Sequence, residues 1–160
     1  MVDLSANEGQ IIAVIVGSVP LVFLLVWFLI STAVARIGGW TSLWRAYNKS
    51  HSDEVPKKLG VHSGSVRFSI SYTGTLRFGS TDSGLVLSLF WPFSIAHPEL
   101  LIPWSDISAM ASKTIIGQPT VVLSFAKVKG VNLVISQKAN SDMQQKVGSQ
   151  WPTVGNIVSL

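Results

Sequence analysis

The sequence predicts a single N-terminal transmembrane helix followed by a small mainly-β (α+β) domain, a curled sheet or barrel capped by a C-terminal helix. Three observations carry this prediction: an uncharged apolar run over 11–35, apolar residues at every second position from Ser65 onward, and an amphipathic stretch that begins at Ser141. The chain has 160 residues, which suffice for one such domain and an anchor.

The apolar run over 11–35 contains no charged residue. At about 1.5 Å per residue, twenty of its residues cross a hydrocarbon core of about 30 Å, so a bilayer span is the natural interpretation. Pro20 is expected to bend this helix. A cleaved signal peptide is the alternative, with Ala33–Ala35 as its cleavage site. The run exceeds a signal core of about 7–15 residues, however, and the flank over 1–10 is acidic where signal peptides are basic.

All twelve Lys and Arg residues follow the span, beginning with Arg36. Positive residues mark the cytoplasmic side of a membrane helix, so residues 1–10 are expected to form an external tail and residues 36–160 to lie in the cytoplasm. The absence of cysteine agrees with a reducing compartment. The predicted location is therefore the cell membrane, which the chain crosses once.

A second helix is predicted over 36–50, after a break at Gly38–Gly39. Its large apolar residues share one helical face: Trp40, Leu43, Trp44 and Tyr47. Aromatic side chains beside Arg45 suit the headgroup layer of a membrane, so this stretch is interpreted as an interfacial amphipathic helix. Packing of the same face on the domain's own core fits the spacing equally well.

Residues 51–64 are polar, contain Pro56 and are interpreted as a linker. A β-rich domain of six or seven antiparallel strands is expected over 65–151, with a C-terminal tail over 152–160. Ser141 and the glutamine three residues later fit a capping box that starts the closing helix. The predicted turns lie at Thr73–Gly74, Thr81–Gly84, Pro92–Pro98 and Lys129–Gly130, with a bend at Pro103.

Two short patterns resemble bacterial pleckstrin-homology-like and GRAM-like domains. They are Gly84-Leu85-Val86-Leu87-Ser88 before a proline-containing loop, and Leu101-Ile102-Pro103-Trp104-Ser105-Asp106-Ile107 after it. The layout is also similar to a group of bacterial single-span proteins, in the residues Gly39, Trp40, Leu43, Tyr47, His97 and Pro98. The resemblance implies this architecture and no particular activity. Such domains bind lipid headgroups, peptides or proteins, and the basic loop that binds phosphoinositides in eukaryotic members is not evident in this sequence.

The sequence shows no catalytic constellation, so the chain is expected not to be an enzyme. His51 and His62, with two carboxylates nearby, lack the fixed spacing of a metal site, and no metal or cofactor is expected. His97 could pair with Glu99 to tune a pKa. A loop histidine that hydrogen-bonds the backbone and fixes the turn is the favoured interpretation, because no nucleophile lies beside it.

Twelve basic and six acidic residues follow the span. Anionic cytoplasmic lipids attract such a surface by about 1 kcal/mol per nearby basic residue, so membrane lipids are expected partners. The basic residues are scattered, so no nucleic acid is expected. Residues Phe90–Ile95, named here the aromatic loop, form either an exposed contact surface or part of the core. The expected membrane-interface or partner contacts are Trp27, Trp40, Trp44, Arg45, Tyr47, Trp91 and Phe93.

Two functions fit these expectations. The first is a non-catalytic accessory or structural subunit of a larger membrane protein complex, such as an energy-converting or transport assembly, with other membrane protein subunits as partners. The alternative is a free-standing lipid- or peptide-binding regulatory module at the cytoplasmic membrane surface. An unrecognised enzyme is a third hypothesis, which none of the residues named above supports.

Overall fold

A computed structural model describes residues 4–48, 55–67, 70–114 and 116–155. Over these ranges it contains an apolar N-terminal helix, a mainly-β domain and a helix after the long strands, which confirms the predicted order. The helices and strands are α1 Leu4–Ile37, α2 Trp40–Tyr47, β1 Lys57–Val66, β2 Ile70–Ser80, β3 Gly84–Leu89, β4 Leu100–Pro103, β5 Ile107–Lys113, β6 Pro119–Phe125, β7 Val128–Ser136, α3 Gln137–Val147 and β8 Val154–Gly155. Short 3-10 turns lie at Phe93–Ala96, Trp104–Asp106 and Gly148–Gln150.

Helix α1 is long and apolar enough to cross a membrane. Its stretch Val14–Ile37 has a mean hydropathy of 2.6 and is almost entirely uncovered by the rest of the chain. The helix begins at Leu4, so residues 4–10 of the predicted tail are helical, and residues 1–3 lie outside the described ranges. Pro20 sits inside the helix without ending it. The last turns differ from the rest, because Ser31 and Ala35 are buried against the domain.

The eight strands form one sheet in the order β4-β3-β2-β1-β7-β6-β5-β8. Successive strands pair as antiparallel hairpins within β1–β4 and within β5–β7, and β1 also pairs antiparallel with β7. Buried side chains from β1 through β7 belong to one apolar cluster, so the sheet curls around a shared core. Helix α2 packs on β4 and β7, and α3 packs on β1, β6 and β7.

Helix α2 fills one side of this core. Trp40, Leu43 and Tyr47 are each 1% exposed, whereas Trp44 is 39% exposed. The helix is therefore amphipathic with its apolar face on the domain, which is the second of the two interpretations of the 36–50 stretch. The prediction that Trp40 and Tyr47 contact the membrane or a partner is corrected, because both side chains lie inside the domain.

The first hairpin differs from its prediction. Residues from Lys57 belong to β1 and not to a linker, while 51–54 lie outside the described residues. Bulges in β1 near Gly60 and Gly64 interrupt the two-residue alternation, which is why this strand looks like a loop in the sequence. The chain turns after Val66 and not at Thr73–Gly74, which lie within β2.

Other boundaries were predicted more closely. The turn before Gly84, the loop before Leu100 and the bend after Pro103 are confirmed. The β6–β7 turn lies at Ala126–Lys127, slightly before the predicted Lys129–Gly130. The predicted tail over 152–160 is wrong at Val154–Gly155, which form β8 and pair in parallel with β5. Eight strands replace the predicted six or seven over the described part of the chain.

The N-cap of helix α3 lies five residues before the predicted cap at Ser141. Its N-cap is Ser136, whose hydroxyl accepts a hydrogen bond from the backbone N–H of Ala139 at 3.1 Å. Strand β7 runs directly into this cap, so no loop residue in the sequence marks the boundary. Ala139 and Met143 turn one face of the helix into the core. Gly148 is the C-cap of the helix.

Replacing Ser136 with alanine should lower the free energy of unfolding by about 1 kcal/mol, because the cap hydroxyl satisfies an otherwise unpaired backbone N–H. Ser141→Ala is the matched control: it changes the same residue type at an exposed position inside the same helix and should leave stability unchanged. Urea unfolding in detergent micelles would measure both. A larger loss for Ser141→Ala would show that the cap is assigned to the wrong serine.

Candidate interaction surface

The aromatic loop connects β3 to β4 and is exposed. The exposed fractions are 49% for Phe90, 70% for Trp91, 38% for Phe93 and 55% for Ile95. The sequence left exposure and burial open for this loop, and the structure supports exposure. A cluster of large apolar side chains on the surface is typical of an interaction site.

The same loop lies beside α1. The ring of Phe93 is 5.3 Å, centroid to centroid, from the ring of Trp27. Trp27 in turn stacks on Phe23 at 6.2 Å, one turn earlier in α1. The exposed side chains of the aromatic loop therefore adjoin the exposed apolar surface of the helix. The predicted contact residues Trp27 and Phe93 touch here, and Trp91, a third, lies in the same loop.

A positive charge borders the loop. The guanidinium carbon of Arg77, on β2, lies 4.7 Å from the centroid of the Phe90 ring. This distance is within the range of a cation–π contact. No local spacing in the sequence indicates this pairing, because Arg77 lies on β2 and Phe90 in the aromatic loop. The aromatic loop thus has a cation at its edge.

A cleft of about 360 Å³ lies between α1, β2 and the aromatic loop. Its lining is largely apolar, with hydroxyls and a histidine: Trp27, Ile30, Ser31, Val34, Ile70, Ser71, Tyr72, Thr73, Thr75, Phe93 and His97. The indole N–H of Trp27 is covered and has no acceptor among the described residues. Helix α1 and the domain are therefore in contact, but side chains do not fill all the space between them.

His97 is buried at the base of the loop. Its Nδ1 lies 2.9 Å from the Phe93 carbonyl oxygen, and its Nε2 lies 3.1 Å from the Tyr72 hydroxyl. A carbonyl can only accept, so Nδ1–H donates to Phe93 and Nε2 accepts from Tyr72. The Trp40 indole N–H donates to the carbonyl of Pro98 at 2.9 Å. The favoured prediction of a turn-fixing loop histidine is confirmed, and Tyr72 is a partner that the sequence did not indicate.

Burial keeps both members of this pair neutral. It lowers the pKa of His97 from its ordinary value and raises the pKa of Tyr72 to about 12. The groups that face His97 are the Tyr72 hydroxyl, the Phe93 carbonyl and the Trp40 ring, none of which is charged. The cluster therefore holds the aromatic loop in place without presenting an ionised group.

Acidification should destabilise the domain through His97. In the unfolded chain the histidine takes up a proton below a pH of about 6.5, whereas the buried side chain resists protonation. The contribution of His97 to the free energy of unfolding is therefore fully present above that pH, and below it falls by at most about 1.4 kcal/mol per pH unit. His97→Gln should weaken the dependence of the free energy of unfolding on pH below pH 7. Urea unfolding across this range, with wild type and variant in parallel, measures the difference. Equal slopes would show that His97 is not the responsible group.

His62, on β1, links this strand to α3. Its Nε2 lies 3.2 Å from Asp142 Oδ2 on α3, and Lys146 Nζ lies 2.8 Å from the same oxygen. The hydrogen bond from Lys146, with a smaller effect of His62, holds the pKa of Asp142 below its ordinary value. His51 lies outside the described residues. Within the described ranges, no three His, Cys, Asp or Glu side chains are grouped as metal ligands.

Trp44 and Arg45 remain exposed on the outer side of α2, as a predicted contact surface requires. Comparisons of the chain with protein-family models, with curated proteins and with solved structures give no match. The resemblance to pleckstrin-homology-like domains therefore stays a prediction.

Proposed function

We propose that this chain is a non-catalytic module anchored in the cell membrane, with its β domain held against the cytoplasmic surface. One observation carries the proposal: α1 presents uncovered apolar side chains from Ile12 to Ile30. At about 1.5 Å per residue this surface is about 27 Å long, close to the thickness of a hydrocarbon core. Such a surface is strongly unfavourable in water, and apart from the contact of Phe93 with Trp27 the domain leaves it uncovered.

The charge distribution supports the orientation in this proposal. Every lysine and arginine follows the apolar surface of α1, and Arg36 and Arg45 lie at its domain end. The residues before it include acidic but no basic side chains. By the positive-inside rule, the N-terminus lies outside and the β domain in the cytoplasm.

A pleckstrin-homology-like fold is part of the proposal. Two groups of antiparallel hairpin strands, joined by the pairing of β1 with β7, form one curled sheet, and α3 follows the last long strand. This order agrees with the architecture that the sequence patterns around Gly84 and Pro103 resemble.

Engineered cysteines provide a direct test of the anchor and its orientation, because the chain has none of its own. Glu8→Cys and Ser149→Cys place single thiols at exposed positions at opposite ends of the chain. A membrane-impermeant maleimide should label Glu8→Cys in intact cells and Ser149→Cys only after permeabilisation. The reverse pattern contradicts the orientation. Recovery of the chain in the soluble fraction contradicts the anchor itself.

The proposed role is that of an accessory or structural subunit of a larger membrane complex. Trp44 and Arg45 on α2, together with the surface beside α1, offer exposed aromatic and cationic side chains close to the membrane. Aromatic residues and arginine are enriched in protein interfaces. Purification in mild detergent should recover stoichiometric membrane partners, identified by mass spectrometry. A monodisperse monomer under those conditions would count against this role.

The alternative role, binding of lipid headgroups or peptides, has an observation of its own. A cleft of about 450 Å³ on the outer side of β1–β3 is lined in part by Lys58, Arg77 and Glu99. Its two cations could hold a phosphate or carboxylate. If so, anionic lipid should co-purify with the full chain, and Lys58→Gln should reduce that lipid. The experiment requires the full chain, because the buried side chains of α2 are part of the core of the domain.

A further inference from the structure

We infer that the aromatic loop is a second membrane contact, inserted into the cytoplasmic leaflet beside α1. The inference rests on the proposed function, since it takes α1 as the span. It adds that the domain is held at two places, by its helix and by the tip of its β3–β4 connection. The occupant of this surface is the lipid of the leaflet itself.

The depth of the loop follows from its neighbour in α1. Large exposed apolar side chains line the helix up to Ile30 and again at Ile37, and Ser31 between them is buried. Trp27 lies three residues before Ile30, which is about 5 Å further into the membrane. Phe93 touches the ring of Trp27 at 5.3 Å. The aromatic loop therefore reaches the level at which α1 still faces lipid.

The chemistry of the loop suits that level. No charged residue occurs from Phe90 to Pro98. Trp91, the most exposed of its large side chains, belongs to a residue type that prefers the boundary between hydrocarbon and headgroups. Phe90 and Ile95 add apolar area that water would otherwise contact. Insertion of the loop into the membrane therefore removes apolar area from water and does not require dehydration of a charged side chain.

Two observations favour lipid over a protein partner. First, the loop is continuous with the surface of α1 that already faces lipid, through the contact of Phe93 with Trp27. Second, Arg77 stacks on Phe90, so a cation stands at the rim where lipid phosphates lie. An apolar centre with a cationic rim matches the sequence of layers from hydrocarbon to headgroup.

The test uses full-length single-cysteine variants, each labelled with an environment-sensitive fluorophore, in phospholipid vesicles that contain no other protein. Trp91→Cys and Ile95→Cys report on the loop, and both positions are exposed, so the core is unchanged. Leu24→Cys, on the uncovered surface of α1, is the membrane control. Ser149→Cys is the water control, because its neighbour Gln150 donates to the carbonyl of Asp82, at the other end of β3.

Nitroxide-labelled lipids should quench the probes at residues 91 and 95 several-fold more than the probe at 149, and their emission should be blue-shifted. Loop probes that match the probe at 149, while the probe at 24 is quenched, would overturn the inference and leave the anchor standing. The loop would then be a surface for another subunit. A probe at 24 that is not quenched would instead contradict the span on which both proposals depend. Unchanged unfolding midpoints of the labelled variants confirm that the fold is intact.

Discussion

Replacement of Trp40 by alanine should strongly destabilise the β domain. The side chain is 1% exposed, its indole N–H donates to the Pro98 carbonyl, and its ring packs against Tyr72 and His97. Truncation of a fully buried tryptophan costs about 3–5 kcal/mol. A domain of this size has about 5–15 kcal/mol in total. Urea unfolding in detergent, followed by the fluorescence of the remaining tryptophans, measures the loss.

Two variants make this result specific. Trp44→Ala changes the same residue type on the same helix, but at an exposed position, and should cost less than about 1 kcal/mol. Trp40→Phe keeps an aromatic ring and removes the donor to Pro98, so an intermediate loss is expected, of which the missing hydrogen bond contributes about 1 kcal/mol. Similar losses for Trp40→Ala and Trp44→Ala would contradict the placement of α2 on the core.

Gly39→Ala should be the most damaging glycine substitution at the join between α1 and α2. Gly39 has a φ of 83°, which costs an L-residue about 1–2 kcal/mol. A Cβ at this position would also lie 2.7 Å from Cγ2 of Val131. Val131 is buried and β-branched, so it cannot rotate away freely. Strain and overpacking together should lower stability by about 2–4 kcal/mol.

Gly117→Ala separates the two contributions. Gly117 has a φ of 80°, but a Cβ there would meet nothing within 4 Å. This variant should therefore show the backbone strain alone, about 1–2 kcal/mol. The difference between the two variants, measured by urea unfolding, gives the cost of the contact with Val131. Equal losses would mean that α2 and β7 are not packed as closely as described.

Much of the architecture could be predicted from local patterns. The absence of charge over 11–35 indicated the apolar helix, and alternation around Leu85 and Leu123 indicated strands, because both signals depend only on near neighbours in sequence. Strand β1 could not be recognised, since bulges and glycines disturb its alternation. The cap at Ser136 was missed because the chain passes from strand to helix without a loop.

The site was less predictable, since its parts come from distant segments. Exposure of Trp91 and Phe93 could not be decided from the aromatic loop alone, because large aromatics fit both core and surface. Nothing in the sequence links Tyr72 to His97 or Arg77 to Phe90. For Trp40 and Tyr47, helical spacing revealed a common face but not what that face contacts.

The join between α1 and α2 determines how the domain can move. Gly38 and Gly39 are both buried, and an added Cβ on Gly38 would lie 2.9 Å from the Val34 carbonyl oxygen. Because the two residues between the helices are buried and tightly packed, they do not act as a flexible linker between α1 and the domain. When α1 rotates about its long axis, the domain must rotate with it. In the proposed membrane-anchored arrangement, encounters with other molecules would then depend on lateral diffusion in the plane of the membrane.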